Sequence, residues 1–313
     1  MVSLTIHQKG VTFTIYKQGI SFQYEDKQHA SCEQKGQVQI RYGVSAGSLS
    51  WTTSAYSDYW GKVASELHYP FTKRVLSLCG ENNLTSHFSV YLSYELGKIN
   101  QDISTDTDWL LSISEEPWMK TKQPFYGQTQ LSAIKIGYRI SESGDKLRSQ
   151  LSIFSGYHIY KLFVKMVDPV TYEIVEYEPA NETIRVGLDS TYEIMYKGVK
   201  FELGGRFYFS PQFYLRGNLS YSPLLIIEAN GYWNLRDMSI TQSGTGDGIE
   251  EEISLNYSPT SSWQIGLTYR HMVFDLKKGN FINKLPDGTT GYGNWNSAQL
   301  MDKTIFISAI YKF

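Results

Sequence analysis

The last twelve residues of the chain, Asp302 to Phe313, alternate between two kinds of side chain. One parity is wholly apolar and has two aromatic residues near its end, whereas the other mixes apolar and polar side chains. Successive side chains of a strand point to opposite faces, so the stretch predicts a strand with one apolar wall. Such a wall is typical of a lipid-facing strand in an outer-membrane barrel, where aromatic residues mark the interface. The apolar parity consists of Ile305, Ile307, Ala309, Tyr311 and Phe313.

The composition of the chain excludes some classes of protein. Its 313 residues include 24 Tyr and 7 Trp, and its net charge is −2. No run of about 18 apolar residues occurs, so we expect no transmembrane helix. Low hydropathy with many aromatic residues favours a membrane barrel, because only alternate residues meet lipid. Lys and Arg form no basic stripe, so we expect no nucleic-acid partner.

The same alternation recurs along the chain from Gln37 onward. We therefore predict an all-β fold, a closed antiparallel transmembrane barrel over residues 37–313, with short periplasmic turns and long extracellular loops. Ten strands are predicted, near residues 38–44, 67–71, 88–96, 134–140, 151–153, 184–209, 213–221, 253–257, 263–269 and 305–313. Short turns are predicted at 81–83, 142–145, 210–212 and 258–262, and long loops near 52–62, 98–127, 164–182, 229–249 and 274–301.

The opposite parity of these strands is polar, and we expect it to line the lumen. A barrel of about ten strands has little free interior, whereas open porins have about 16–18 strands. The charges are therefore expected to form a paired internal network rather than to line a wide channel, because an unpaired buried charge is costly. The residues predicted to point inward are Arg41, Glu95, Lys135, Arg139, Arg148, Arg185, Asp189, Arg216 and Arg270.

Residues 1–36 form a separate segment with a short internal repeat. Two similar units predict short strands with turns at Gly10 and Gly19. Strands of about five residues are too short to span a bilayer, so we expect a periplasmic meander or a plug; an additional transmembrane hairpin is the alternative. No signal peptide is recognisable in residues 1–28, so we expect the export signal to have been removed or not included. Cys32 and Cys79 could form a disulfide or remain two free thiols.

The strongest chemical candidates are Asp106 and Asp108, which lie after the third predicted strand. Two carboxylates two residues apart can share a proton or orient a water molecule, and their crowding raises one pKa. The structural alternative is an Asx turn in an exposed loop. No phosphate loop, nucleophile elbow or zinc-ligand spacing is present, and we expect no cofactor and no metal.

Several short motifs follow one another in an order that resembles the omptin family of outer-membrane proteases. They are Ser65-x-Leu67-x-Tyr69, Asp106-Thr-Asp108-Trp109, Gly156-Tyr157, Phe213-x-Leu215-x-Gly217 with Tyr221, and Tyr311-Lys-Phe313. The resemblance covers about residues 37–313. It implies a ten-stranded barrel with an active groove at its extracellular rim, in which Asp106 and Asp108 form one half of the site.

The resemblance also implies an Asp-x-His pair that faces the two aspartates across the groove and activates a water molecule. Residues 228–239, where this pair is expected, contain no histidine. The Asp and His positions of this pair align with Gly231 and Trp233. In a shifted alignment they align with Asp237 and Ser239. Glu228, Asp237 and His158 are weak candidates for the missing half. A hydrogen-bonded lumen residue is the alternative role of His158.

The family binds lipopolysaccharide through basic residues on the outer wall. Here Lys161 represents one of them, its neighbouring acid is replaced by Ile159, and a second basic position falls near Tyr208. We therefore expect a degraded lipid site. The expected partners are outer-membrane lipid and an extracellular peptide or host surface, and we expect a monomer.

Two functions remain open at this point. The first is an outer-membrane surface protein of omptin-like fold without standard omptin protease activity, with an adhesin, structural or narrow-channel (porin) role. The alternative is an active endopeptidase that uses Asp106 and Asp108 with a replaced base.

Overall fold

The computed structural model describes residues 4–8, 11–16, 19–24, 36–55, 63–109, 117, 119–143, 149–175 and 187–313. The chain divides into two units, Met1–Gln34 and Lys35–Phe313. In the first unit, three short antiparallel strands form a meander: β1 Leu4–Gln8, β2 Val11–Tyr16 and β3 Gly19–Tyr24. Gly19, where a turn was predicted, is the first residue of β3 and pairs with Tyr16, the last residue of β2. Gly10 and Cys32 lie outside the described residues.

The second unit is a barrel of antiparallel strands. Within the described residues, ten long strands pair in the ring order β6-β5-β4-β14-β13-β12-β11-β10-β8-β7, and pairing of β6 with β7 closes the ring. The bounds are β4 Gly36–Ala55, β5 Ser65–Asn83, β6 Phe88–Asp108, β7 Met119–Ser143, β8 Ser149–Val167, β9 Thr171–Val175, β10 Asp189–Tyr208, β11 Phe213–Trp233, β12 Met238–Tyr257, β13 Trp263–Lys284 and β14 Thr290–Lys312, with one turn of 3₁₀ helix at Asn234–Arg236. The predicted ten-stranded barrel is confirmed.

The short strand β9 extends the line of β8 along the outer end of β7. Phe125 of β7 pairs with Met166 of β8, and Lys122 of β7 pairs with Thr171 of β9. The sixth long strand, β10, begins at Asp189, and residues 184–186 of the predicted strand lie outside the described residues.

One face of the barrel strands forms an apolar outer wall. On β14, Ile305, Ile307 and Tyr311 are exposed on this wall, whereas Phe306 and Ile310 are buried in the interior. Aromatic pairs mark one end of the wall: Phe213 stacks on Tyr257 with ring centroids 4.6 Å apart, and Trp263 lies 5.0 Å from Tyr311. The alternation predicted for the final strand is confirmed. The apolar band borders the turns 84–87, 209–212 and 258–262, so this end is the periplasmic one.

The long strands contain 19 to 25 residues each, although about 9–11 residues suffice to cross a membrane. Their outer halves therefore extend beyond the bilayer. The predicted long loops are wrong in extent, because most of 98–127, 229–249 and 274–301 is strand: β11 and β12 are joined at residues 234–237, and β13 and β14 at 285–289. The predicted turn at 81–83 also belongs to β5, and the chain turns at 84–87.

Charged side chains inside the barrel form ion pairs between strands that are not hydrogen-bonded neighbours in the ring. Arg270 donates to both carboxylate oxygens of Glu95 at 2.8 Å. The Lys73 ammonium binds Asp302, and both side chains are fully buried. We call this set the ion-pair ladder; it consists of Lys73–Asp302, Arg270–Glu95, Lys135–Glu202, Lys200–Glu250, Arg41–Glu252 and Arg206–Glu81. The paired internal network predicted from the sequence is confirmed.

Not every predicted inward charge belongs to the ladder. Asp189 is the first residue of β10 and lies above the enclosed interior. It is exposed at the outer rim, where Lys165 binds it at 2.6 Å. Its predicted inward position is therefore wrong. Arg139 and Arg216 line a cavity at the periplasmic mouth. Arg148 and Arg185 lie outside the described residues.

Little space remains in the lumen of the described barrel. Two interior cavities have volumes of about 20 and 30 Å³, room for one or two water molecules each. No helix in the described ranges is long and apolar enough to cross a membrane.

Candidate functional site

Asp106 and Asp108 occupy the outer end of β6. Two residues apart on a strand, they share one face. Asp106 pairs with Leu67 of β5 and with Thr121 of β7. Asp106 follows Phe88 by 18 residues on β6, which is well beyond the roughly 9–11 residues that cross the membrane. The two carboxylates therefore lie at the extracellular rim, as the resemblance implies.

Asp106 is the more enclosed of the two carboxylates. Only 8% of the residue is exposed, and the Ser65 hydroxyl donates a long hydrogen bond to it at 3.4 Å. Burial and the neighbouring charge of Asp108 raise the pKa of Asp106 well above its ordinary value, against the smaller opposing effects of Arg236 and Ser65. Asp106 is therefore a carboxyl group that holds a proton more tightly than an exposed aspartate does.

Arg236 reaches the aspartate pair from the other side of the barrel. It is the last residue of the 3₁₀ turn between β11 and β12, and β12 lies five strands from β6 in either direction around the ring. The Arg236 guanidinium donates to Asp108 Oδ2 at 3.2 Å. An ion pair therefore bridges the mouth at the place where the resemblance implies a histidine.

The hairpin that carries Arg236 is held by a dense set of hydrogen bonds. Asn234 accepts from the backbone N–H of Asp189 at 2.8 Å and from the Ser190 hydroxyl at 3.0 Å. Its amide donates to the carbonyl of Gly187 at 2.6 Å. Asp237 ends the turn in the left-handed conformation, with φ of 45°. These contacts anchor the turn to the start of β10, so Arg236 projects from a fixed support.

The other acidic candidates do not face the aspartate pair. Ile227 and Ala229 are buried in the interior, so Glu228 between them points to the outer wall, where Lys197 donates to both of its oxygens at 2.9 Å. Asp237 accepts from the Tyr232 hydroxyl at 2.8 Å.

His158 lies deep in the barrel, far from the rim. It pairs with Ala133 of β7, twelve residues from Thr121, the partner of Asp106. At about 3.3 Å per residue this is about 40 Å along the strand. Its Nε2 is 3.1 Å from the Ser222 hydroxyl, and its ring meets the edge of Phe274. Of the sequence-predicted site residues, only Asp106 and Asp108 are brought together.

Aromatic side chains fill the barrel just below the aspartate pair. Tyr192 stacks on Trp51 with centroids 5.6 Å apart and on Tyr69 at 6.1 Å. Trp233 meets Trp51 edge-on at 6.4 Å, and Phe125 meets Tyr69 at 5.5 Å. We call these five residues the aromatic plug. Trp233, one of the two positions expected for the missing dyad, is thus a packing residue.

The structure also tests the positions of the lipid-binding residues that the resemblance implies. Tyr208 is the last residue of β10, beside the periplasmic turn, where its ring lies 5.1 Å from that of Tyr214. The placement of an outer-leaflet basic position near Tyr208 is therefore wrong, because β10 runs from the outer rim to the periplasm. Lys161 lies on the outer wall, half-buried, as its parity predicts.

Within the described ranges, no group of three or more His, Cys, Asp and Glu side chains is placed to hold a metal ion. Sequence reasoning missed one residue of the site, Arg236. The only signal for it was that Arg236 is the sole basic residue in the segment 228–239, which the resemblance places opposite the aspartates.

The raised pKa of Asp106 predicts a pH dependence of stability. Because the folded protein binds this proton more tightly than the unfolded chain, stability should fall as the pH rises from the ordinary pKa of aspartate through the raised pKa of Asp106. Asp106→Asn should remove this loss. Urea unfolding in lipid vesicles across a pH series measures it.

A matched control is Asp287→Asn at the tip of the β13–β14 hairpin. The backbone N–H of Thr289 lowers the pKa of Asp287, so any contribution of Asp287 has the opposite sign and is lost as the pH falls. An Asp106→Asn profile with the same slope as that of the unmodified protein would contradict the prediction.

No family model matches the chain, and no curated protein sequence matches it. Among solved structures, the outer membrane protease OmpT from Escherichia coli superposes with a TM-score of 0.75 at 15% identity, over 92% of this chain and 99% of that one. The translocator domain of the autotransporter NalP from Neisseria meningitidis matches with a TM-score of 0.40 at 10% identity, over 89% and 88% of the two chains. OprG from Pseudomonas aeruginosa matches with a TM-score of 0.35 at 9% identity, over 90% and 97%.

The superposition on OmpT fits the ring of about ten strands. At this identity the likeness concerns the fold and not the chemistry. The fold, the outer-membrane location and the omptin resemblance predicted from the sequence are confirmed. The chain thus has the omptin fold, a closed ten-stranded β-barrel of the bacterial outer membrane.

Proposed function

We propose that this chain is a closed outer-membrane surface protein that does not carry out peptide hydrolysis of the Asp/His type. The observation that carries the proposal is the ion pair between Arg236 and Asp108 across the mouth of the barrel. A general base must accept a proton from water. Arg236 cannot do so, because a guanidinium is a donor without an acceptor atom and stays protonated in proteins.

The surroundings of the aspartate pair support the same reading. Asp108 is engaged by Arg236, so its charge is directed to a fixed cation rather than to a bound water molecule. Asp106 is buried against β5, with Tyr69 two residues below its strand partner Leu67. The aromatic plug takes up the space beneath both carboxylates. An extended peptide would have to displace Arg236 to reach them.

The interior supports a barrel that does not conduct. The ion-pair ladder crosses the lumen below the plug, and the interior cavities hold only one or two waters each. A narrow-channel or porin role is therefore disfavoured relative to a structural or adhesive role.

The hairpin β13–β14 favours a surface-contact role. Ile282 and Tyr292 are strand partners on its outer part, and both are exposed, as is Leu285 at the turn. They lie beyond the apolar band, so lipid does not cover them. A group of exposed apolar side chains outside the membrane is typical of a contact surface, and it suits an extracellular peptide or host surface.

Peptide cleavage tests the proposal. Purified protein, refolded in detergent with and without lipopolysaccharide, should leave a peptide library that includes dibasic sequences intact. The Arg236→Gln variant distinguishes a site that lacks a general base from a complete site that Arg236 blocks. Because no base replaces Arg236, this variant should also be inactive.

Two results would overturn the proposal. Cleavage by the unmodified protein that is abolished in Asp108→Ala would establish the alternative, an active endopeptidase with a replaced base. Cleavage by Arg236→Gln alone would establish that the chemistry is present and that Arg236 blocks it. Lys277→Gln, which removes an exposed cation from the outer part of β13, is the control for net charge.

A further inference from the structure

Residues 187–190, where the chain enters β10, are bound by side chains from two other parts of the outer rim. Asp168, which follows β8, accepts the backbone N–H groups of Gly187 at 2.7 Å and of Leu188 at 2.8 Å, one on each carboxylate oxygen. Asn234 accepts from the N–H of the first residue of β10 at 2.8 Å and donates to the carbonyl of Gly187 at 2.6 Å. We call Asp168, Asn234 and residues 187–190 the rim clamp.

The backbone of the clamped residues presents its groups to both side chains. Gly187 has a φ of 94°, in the left-handed region that favours glycine, and it turns its N–H to Asp168 and its carbonyl to Asn234. Leu188 packs against the buried hydrophobic core, and Ser190 is 1% exposed. Because these residues are attached to the interior as well, they link the position of Asp168 to that of Asn234.

Asn234 is also the first residue of the turn that carries Arg236. The Ser190 hydroxyl accepts the backbone N–H of Asn234 at 3.1 Å and donates to its side-chain oxygen at 3.0 Å. One turn of 3₁₀ helix follows, closed by the N–H of Asp237 on the carbonyl of Asn234 at 3.2 Å. Arg236 lies two residues from Asn234 within this turn, so a displacement of Asn234 also displaces the guanidinium.

The ion pair across the mouth is sensitive to such a displacement. Arg236 donates to Asp108 Oδ2 at 3.2 Å, which is at the long end of the ordinary range for N–H···O bonds. A shift of about 0.5 Å is enough to take this contact out of hydrogen-bonding range. Because 47% of the Arg236 side chain is exposed, its place depends on the backbone that carries it.

We infer that Asp168 and Asn234 are positioning residues for the ion pair that bridges the mouth. Asp168 fixes residues 187–190 to the end of β8, these residues hold Asn234, and Asn234 sets the place from which Arg236 reaches Asp108. This role rests on the same Arg236–Asp108 pair that carries the proposed function. The experiment that tests it follows the position of Arg236 and not peptide cleavage, so the two can fail separately.

NMR of the arginine side-chain Nε–H groups tests this role in refolded protein in detergent. The Arg236 signal is the one missing from Arg236→Lys, and Asp108→Asn gives its position without the ion pair. In Asp168→Ala and in Asn234→Ala we expect the signal to move at least half of the way to that position. Asp168→Asn should move it less, because an amide keeps one of the two acceptor oxygens.

The matched control is Asp287→Ala. Asp287 also accepts a backbone N–H, that of Thr289 at 2.8 Å, but it does so at the tip of the β13–β14 hairpin, so its loss should leave the Arg236 signal in place. Retarded migration of unheated protein in a gel reports folding. Asp168→Asn and Asn234→Ser serve where the alanine variants do not fold.

Two results would overturn the positioning role. The first is an unmoved Arg236 signal in the folded variants of Asp168 or in those of Asn234, because backbone pairing of β11 with β12 would then be enough to place Arg236. The second is an Arg236 signal that Asp108→Asn does not move, because no ion pair would then exist for the rim clamp to position.

Discussion

Asp302→Ala should lower the free energy of unfolding by about 3–5 kcal/mol, the usual result of removing one partner of a buried ion pair. Both side chains of the Lys73–Asp302 pair are fully buried. Lys73 also donates to the Thr129 hydroxyl at 3.1 Å, and Asp302 accepts from Ser45 and from Thr304. Without Asp302, the Lys73 ammonium keeps only weak neutral acceptors in a closed interior.

Urea unfolding in lipid vesicles, followed by tryptophan fluorescence, measures this loss. The double variant Lys73→Met with Asp302→Leu should recover most of the stability, because it leaves no isolated charge. Lys277→Ala, which breaks the exposed pair with Asp247, should change stability only slightly, as surface pairs contribute little. A loss in Asp302→Ala no larger than that in Lys277→Ala would contradict the assigned role of the ladder.

Trp51→Ala should destabilise the barrel by about 3–5 kcal/mol, as expected for truncation of a buried tryptophan. Trp51 is 2% exposed and contacts Tyr192 and Trp233 in the aromatic plug. Its removal leaves a large cavity between strands that the hydrogen-bonded ring holds in place, so the surroundings cannot collapse fully. Leu235→Ala at the exposed 3₁₀ turn is the matched control and should have little effect.

Planar-bilayer recordings of the same variant test what closes the lumen. We expect no current steps from the unmodified protein, and none from Trp51→Ala, because the ion-pair ladder still crosses the lumen beneath the plug. Steps in the unmodified protein would refute a closed barrel. Steps in Trp51→Ala alone would assign the closure to the plug and not to the ladder.

The alternation of the final strand was enough to predict the barrel wall. On β14, Ile305 and Ile307 face outward and Phe306 faces inward, as period-two alternation requires. Alternation of apolar and polar residues did not predict how far the strands extend beyond the apolar band. Residues 98–108 and 238–249 belong to segments predicted to be long loops because they are polar as a whole, yet they are strand. The strands continue there because neighbouring strands still pair their backbones. Beyond the bilayer the outer wall meets water instead of lipid, so its side chains can be polar.

The ion pair at the outer rim could be predicted only in part from the sequence. Asp106 and Asp108 could be chosen from their spacing and their neighbours, since both lie on one strand. Arg236 could not, because 128 residues separate it from Asp108 and no local pattern marks the pair. The absence of a histidine between 228 and 239 could be read directly, but not the presence of a cation that takes its place.

The sequence by itself determined the scaffold: period-two alternation, aromatic ends and polar inner faces are local properties that allow a closed barrel in a membrane. It also determined that charges inside must be paired. Only the tertiary structure decided which charges pair, because partners such as Arg270 and Glu95 lie on distant strands. The same closure of the ring brought Arg236 across the mouth to Asp108, a contact between residues 128 positions apart in the chain.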